Sequence, residues 1–204
     1  MKKSSPRGFR TSRCPLCSLV APLCVCEALH FVPSAIPVVL LRHPREAERS
    51  SGTGFLAMQC LGGTLLEPEL LDAWLDAHAT QKIALLFPPD GEEALGSVAG
   101  IGNTPEAGLL PEILIVPDGS WSEARRMVRK NPRLRGFPRV SPQMGAPWLE
   151  RALRTDKWVR PCTAEALGQW IAQTGDTACA DNLRQALVAF VNAHLKARGI
   201  TVPC

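Results

Sequence analysis

Four cysteines, Cys14, Cys17, Cys24 and Cys26, stand close together in a C-x2-C-x6-C-x-C pattern. Four thiolates can complete a tetrahedral shell around zinc, and C-x2-C is a common chelating half. Such a site is structural, because four protein ligands leave no open position for a substrate. The other reading is four unligated thiols in a flexible head. Cys60, Cys162, Cys179 and Cys204 are scattered and read as small apolar residues. A second chemical candidate is Asp118, which directly follows the apolar run ILIVP at 113–117. An acid there can simply complement the helix that follows it. Ser120 and Glu123 fit a capping box, which frees Asp118 for another task. In a dry pocket its pKa would rise towards neutrality, as a general base requires. Thr53 with Gly54 either caps a helix or offers a hydroxyl and backbone N–H groups to a ligand carboxylate. Arg42, His43, Glu46, Glu48 and Arg49 follow an apolar strand, where charged residues either reach a substrate or are merely solvated.

Charge is unevenly spread. Residues 1–13 carry Lys2, Lys3, Arg7, Arg10 and Arg13 and no acid. Residues 122–139 carry Arg125, Arg126, Arg129, Lys130, Arg133, Arg135 and Arg139 against Glu123 alone. Elsewhere 18 acidic side chains outnumber 11 basic ones, so a net charge of only +4 conceals two strongly basic stretches. Local potential attracts phosphates, which makes a polyanion the expected partner. The plainer reading is a solvated basic helix and a loose tail.

These residues need elements to hold them. The apolar runs IPVVLL at 36–41, Ile83 to Phe87 and Ile113 to Val116 read as buried parallel strands. Helices are expected from the apolar run at 55–61, over Pro68 to Ala77, and after Trp121 to about Lys130, where Asn131-Pro132 should stop the chain. Two more are expected over Thr163 to Ala172 and Asp181 to about Arg198, the last with Leu183, Leu187, Phe190, Val191 and Leu195 as its core stripe. Residues 91–110 are Gly-rich and read as a loop or lid. Strands alternating with helices predict an α/β fold with a mainly parallel sheet. Arg42-His43, Pro88 and Asp118 then fall at the carboxyl ends of strands, where such sheets bind ligands. With 204 residues, the chain divides into a Cys-rich head at 1–34 and an α/β domain at 35–204. The basic start MKKSSPRGFR is not followed by an apolar stretch, and 36–41 is too short to span a bilayer. A cytoplasmic protein without membrane contact is the expectation.

Taken in order, CPLC at 14–17 with CVC at 24–26, HPREAERSSGTG at 43–54, LFPP at 86–89, PDGSW at 117–121 followed by EARRMVRKNPRL, and CTAEA at 162–166 resemble the DTW-domain family of tRNA-uridine aminocarboxypropyltransferases. The resemblance covers nearly the whole chain. Two positions depart from the family pattern: Ser120 stands where Thr is usual, and Gly52 where Asn is usual.

The resemblance implies an α/β, SPOUT-like fold with a C-terminal trefoil knot. It implies transfer of the 3-amino-3-carboxypropyl group of S-adenosylmethionine to N3 of a tRNA uridine, in bacterial members that of the variable loop. Asp118 and Trp121 are then the candidate catalytic residues. Leu86, Phe87, Pro88 and Trp121 should enclose the adenosine. Thr53 and Gly54 should hold the carboxylate, and Pro117, Thr163 and Ala164 should complete the pocket. Arg42, His43, Arg49, Arg125, Arg126, Arg129 and Lys130 should meet tRNA, with zinc on the four cysteines. A monomer is expected. The competing readings are a SPOUT-type RNA methyltransferase and a non-catalytic zinc-ribbon RNA-binding protein.

Overall fold

The computed structural model describes residues 13–17, 19–47, 49, 52–88, 110–143, 147–148, 161–197 and 199. Five strands are present among them: β1 (Val38–Arg42), β2 (Thr64–Leu66), β3 (Ile83–Leu86), β4 (Ile113–Asp118) and β5 (Arg139–Val140). They form one all-parallel sheet in the order β2-β1-β4-β3-β5. Six helices flank it: α1 (Thr53–Leu61), α2 (Leu71–Ala77), α3 (Trp121–Lys130), α4 (Pro132–Gly136), α5 (Thr163–Gln173) and α6 (Thr177–Ala197). A mixed α/β fold on a parallel sheet is therefore correct.

The strands are apolar throughout because both sheet faces are covered. Side chains alternate between two cores, as the two-residue period of a strand demands. Val38, Leu40, Ala84, Leu86, Leu114 and Val116 pack with α1, α5 and α6. Val39, Leu41, Ile83, Leu85, Ile113 and Ile115 pack with α2, α3 and α4. The cysteine head is joined to the first of these cores, since Cys17 and Leu19 are buried in it. Cys60 and Cys179 are fully buried there too and behave as apolar filler.

The same alternation decides what the strand ends present. Arg42 and Asp118 are register partners on adjacent strands, and both fall on the α1–α5–α6 side. The strands that carry them part company beyond this point. The chain leaves β1 for β2 on one side, and leaves β4 for β5 on the far side of β3. That divergence opens a crevice at the carboxyl edge, where doubly wound sheets bind ligands.

Several boundaries differ from the sequence expectation. Pro68 opens a 3-10 turn (Pro68–Leu70), and α2 begins only at Leu71. Asn131 ends α3 but also starts α4. Its Oδ1 accepts N–H bonds from Arg133 (2.9 Å) and Leu134 (3.2 Å), and Pro132 suits the first turn. Helix α6 starts at Thr177, four residues before the expected Asp181, where Asp176 Oδ1 accepts the Cys179 N–H (3.3 Å). Gly62 closes α1 at φ +69°, and the Phe31 ring lies so near that an added Cβ would meet it at 2.7 Å. Of the expected loop or lid at 91–110 only Leu110 is among the described residues; the rest of it, with Ser51 and Glu48, lies outside them. No helix among the described residues is long and apolar enough to cross a membrane.

Candidate functional site

Asp118 is the last residue of β4 and only 2% exposed. It is spared helix-capping duty because Ser120 and Glu123 form the capping box of α3. The Ser120 N–H (2.8 Å) and hydroxyl (2.5 Å) donate to Glu123 Oε2, and the Glu123 N–H donates to Ser120 Oγ (3.4 Å). Ser thus does at this position what the more usual Thr would do.

Two helix starts close around Asp118. From α5, the Thr163 hydroxyl donates to Oδ1 at 2.7 Å. From α1, Gly54 presents bare backbone, so close that a Cβ there would lie 2.5 Å from the carboxylate carbon. Thr53 Oγ1 accepts the Ala164 N–H (3.4 Å) and links the two helix starts. Thr53 is not the N-cap of α1; Gly52 holds that position without a side-chain bond, which leaves the threonine hydroxyl facing α5. Asp118 Oδ2 is buried and has no hydrogen-bond partner among the described residues. Burial pushes this carboxyl up to about 6, opposed by the Thr163 hydroxyl, assisted by Glu46, and opposed again by Arg42 and Arg49.

Asp118 lines a cleft of about 140 Å³ with Arg42, Glu46, Arg49, Phe55 and Leu56. Arg42 donates to Glu67 (2.5 Å), and its buried Nε has no partner among the described residues. Arg49 pairs with Glu46 and, at 3.0 Å, with Glu123. Glu123 is held down at about 2, first by the Ser120 hydroxyl and then by its N–H and Arg49. The His43 N–H donates to the Asp118 carbonyl (2.9 Å), and its Nδ1 accepts the Arg45 N–H (3.2 Å).

The expected site residues therefore gather as two groups. Thr53, Gly54, Asp118, Thr163 and Ala164 form one cluster on the α1–α5–α6 side, with the buried Leu86 in the core beneath it. Phe87 and Trp121 form the other, stacked at 5.1 Å and 9° on the α2–α3–α4 side. Pro88 follows Phe87 at the end of β3, and Pro117 is the register partner of Leu41. Arg125, Arg126, Arg129 and Lys130 are exposed along α3, which buries Ala124 and Val128 instead. Sequence reasoning missed Glu67, Phe55 and the pair Pro15-Leu16 as cleft neighbours. Only for Leu16 was there a signal, an apolar side chain between two cysteines of a chelating pair.

The four cysteine sulfurs lie within 4.8 Å of one another. Cys14 and Cys26 approach to 3.5 Å, Cys17 and Cys24 to 3.7 Å, and all four are free thiols. A tetrahedral metal with bonds of about 2.3 Å needs sulfurs about 3.8 Å apart. The backbone N–H groups of Cys17 and Leu16 hold the Cys14 thiol down at about 6, favouring the thiolate a metal requires. Burial pushes Cys26 the other way, and neighbouring thiols add to that. The donor set fits a metal ion.

Fold and site together define an α/β protein with a ligand crevice at its switch point and a cysteine cluster that can hold a metal. The chain belongs to the DTW-domain family, whose model matches residues 11–195. That membership fits a tRNA-modifying role. No solved structure matches the chain.

Proposed function

We propose that this protein transfers the 3-amino-3-carboxypropyl group of S-adenosylmethionine to N3 of a tRNA uridine and releases methylthioadenosine. The observation that carries the reading is the Asp118 carboxylate, buried in the crevice with one oxygen fixed by Thr163 and the other unpartnered. Uridine N3 must lose its proton for the ring to act as a nucleophile. Asp118 Oδ2 accepts that proton, and a base with a pKa near 6 is matched to neutral solution. The Thr163 hydroxyl occupies Oδ1, which leaves Oδ2 as the oxygen available to the substrate.

S-adenosylmethionine supplies the electrophilic carbon and a neutral thioether leaving group. Thr53, Gly54 and Ala164 at the paired helix starts suit its carboxylate, because helix N-termini present N–H donors and positive dipole ends to anions. Phe87, Pro88 and Trp121 supply the flat apolar surface that an adenine needs. Arg42 and Arg49 at the cleft, and the exposed basic stripe of α3, bind phosphates of the RNA. Cys14, Cys17, Cys24 and Cys26 hold a structural zinc, since the shell is complete without a substrate. The protein acts as a monomer, with its head at 1–34 and its catalytic domain at 35–204.

Incubation of unmodified tRNA with S-adenosylmethionine and the protein, followed by nucleoside mass spectrometry, tests the proposal. A uridine gaining an aminocarboxypropyl group is expected. A uridine gaining a methyl group, or none modified, refutes it.

A further inference from the structure

The cysteine head and the crevice meet. Pro15, Leu16 and Cys17 line the same cleft as Arg42, Phe55 and Asp118. Cys17 is buried in the α1–α6 core, which seats the knuckle against the body of the protein. Leu16 at its tip is 50% exposed. Only Phe31, Leu65 and Leu70 are comparable exposed large hydrophobics among the described residues, and none of them lines this cleft. An exposed leucine between two metal-ligand cysteines has little freedom to fold back onto the core. Pro15 restricts the backbone, and the antiparallel Arg13–Val20 bridge with the Cys14 N–H to Leu19 carbonyl bond (2.8 Å) closes the loop behind it.

We propose that the cysteine knuckle is the substrate-side wall of the crevice and that Leu16 is the apolar contact for the RNA base that reaches Asp118. This rests on the RNA-uridine reading above and specifies how the base is held. The chemistry of the cleft matches one nucleotide unit: apolar surface from Leu16 and Phe55 for a ring face, guanidinium groups of Arg42 and Arg49 for phosphate, and an unpartnered carboxylate oxygen for a ring N–H. A base removed from its stack is commonly held between apolar or aromatic side chains while its polar edge is hydrogen-bonded. Metal occupancy acts through the same contact, because the ligands on either side of Leu16 fix where its side chain stands.

The test uses the full chain and a tRNA transcript containing 4-thiouridine in place of uridine. Irradiation of wild-type protein with this RNA should give a cross-link within residues 14–17, identified by peptide mass spectrometry. Leu16→Ser should retain its metal content and its affinity for S-adenosylmethionine, lose most of that cross-link, and raise the KM for tRNA about fivefold, the size expected from half a leucine side chain. Leu16→Met should restore both. Stripping the metal from wild-type protein should abolish the cross-link, and zinc should return it. A wild-type cross-link map without residues 14–17, or a Leu16→Ser protein with unchanged cross-link and KM, overturns the proposal. RNA that cross-links at Leu16 but receives no aminocarboxypropyl group would sink the transfer reaction alone, whereas normal product at unchanged KM from Leu16→Ser would sink the knuckle wall alone.

Discussion

Gly54→Ala isolates the geometry of Asp118 from its chemistry. The added methyl would stand 2.5 Å from the carboxylate carbon and 2.5–2.6 Å from its oxygens. Ordinary contact begins near 3.4 Å, so the carboxylate must retreat by about 1 Å. Its 2.7 Å bond from Thr163 then stretches beyond useful length. Displacing a catalytic group by about 1 Å can cost roughly 10²-fold in rate, and that loss is the expected result. Stability moves little, because two effects oppose each other. Alanine is a better helix former than glycine by about 1 kcal/mol, while overpacking costs about 1–3 kcal/mol. Single-turnover transfer to tRNA measures the rate, calorimetry with S-adenosylmethionine checks that the pocket still binds, and thermal melting checks the fold. The pH profile adds a signature: the base works when deprotonated, so rate climbs through its pKa. Losing the Thr163 bond removes an influence that lowers the pKa, and the half-maximal point shifts upward from about 6. A variant that transfers within a few-fold of wild type, with its pH profile unmoved, would refute the reasoning.

Asp118→Asn should bind S-adenosylmethionine yet transfer about 10²–10⁴-fold more slowly, as loss of a general base does; near-normal transfer in a quench-flow assay would show that Asp118 is not the base. The same variant should melt higher at pH 8 and equally at pH 4. A carboxyl raised to about 6 from 3.8 contributes stability below its ordinary value and loses it as pH climbs through 6, leaving wild type weaker by on the order of 3 kcal/mol. Ser120→Ala should lower stability by about 1 kcal/mol through loss of the α3 cap, whereas Ser120→Thr should be neutral in the same melting experiment. Arg126→Glu with Lys130→Glu should reduce the log–log salt slope of tRNA affinity by about 1.5, and an unchanged slope in filter binding would place the RNA off α3.

What could be read without coordinates followed the range of the interaction. The strands at 38–42, 83–86 and 113–118 announce themselves by apolar runs, and the α3 cap by four consecutive residues. Asp118 could be set at a strand end, and its release from capping followed from Ser120 and Glu123. Short edge strands carry no such signature: β2 is the tripeptide Thr64-Leu65-Leu66 and β5 only Arg139-Val140, held by pairing with neighbours rather than by their own pattern. The start of α6 was missed because Thr177 and Ala178 carry no apolar signal, and Cys179, though buried on the core face of the helix, reads in the sequence as one scattered cysteine. The reason for Gly54 lies 64 positions away along the chain, in a carboxylate that no local pattern connects to it. Face assignment was also beyond local reading. Phe87 and Trp121 sit among residues expected to share one pocket with Thr53 and Thr163, but strand alternation sends the aromatic pair to the opposite side of the sheet.

That separation sets a requirement on RNA binding. Helix α3 starts three residues beyond Asp118 and runs ten residues, about 15 Å, away from it on the opposite layer. A strand gripped along Arg125, Arg126, Arg129 and Lys130 must therefore pass over the carboxyl edge of the sheet to deliver a base to the cleft. Glu123 stands at the point where it would cross. It closes the cap of α3 and also holds Arg49, which pairs with Glu46 on the cleft wall. The lone acid in the basic stretch is thus the joint between α3 and the loop beside Asp118, and it fixes the Arg49 guanidinium in the lining of the cleft. On the proposed reading, Arg49 would then take the phosphate nearest the base, and the exposed side chains of α3 those further along the strand.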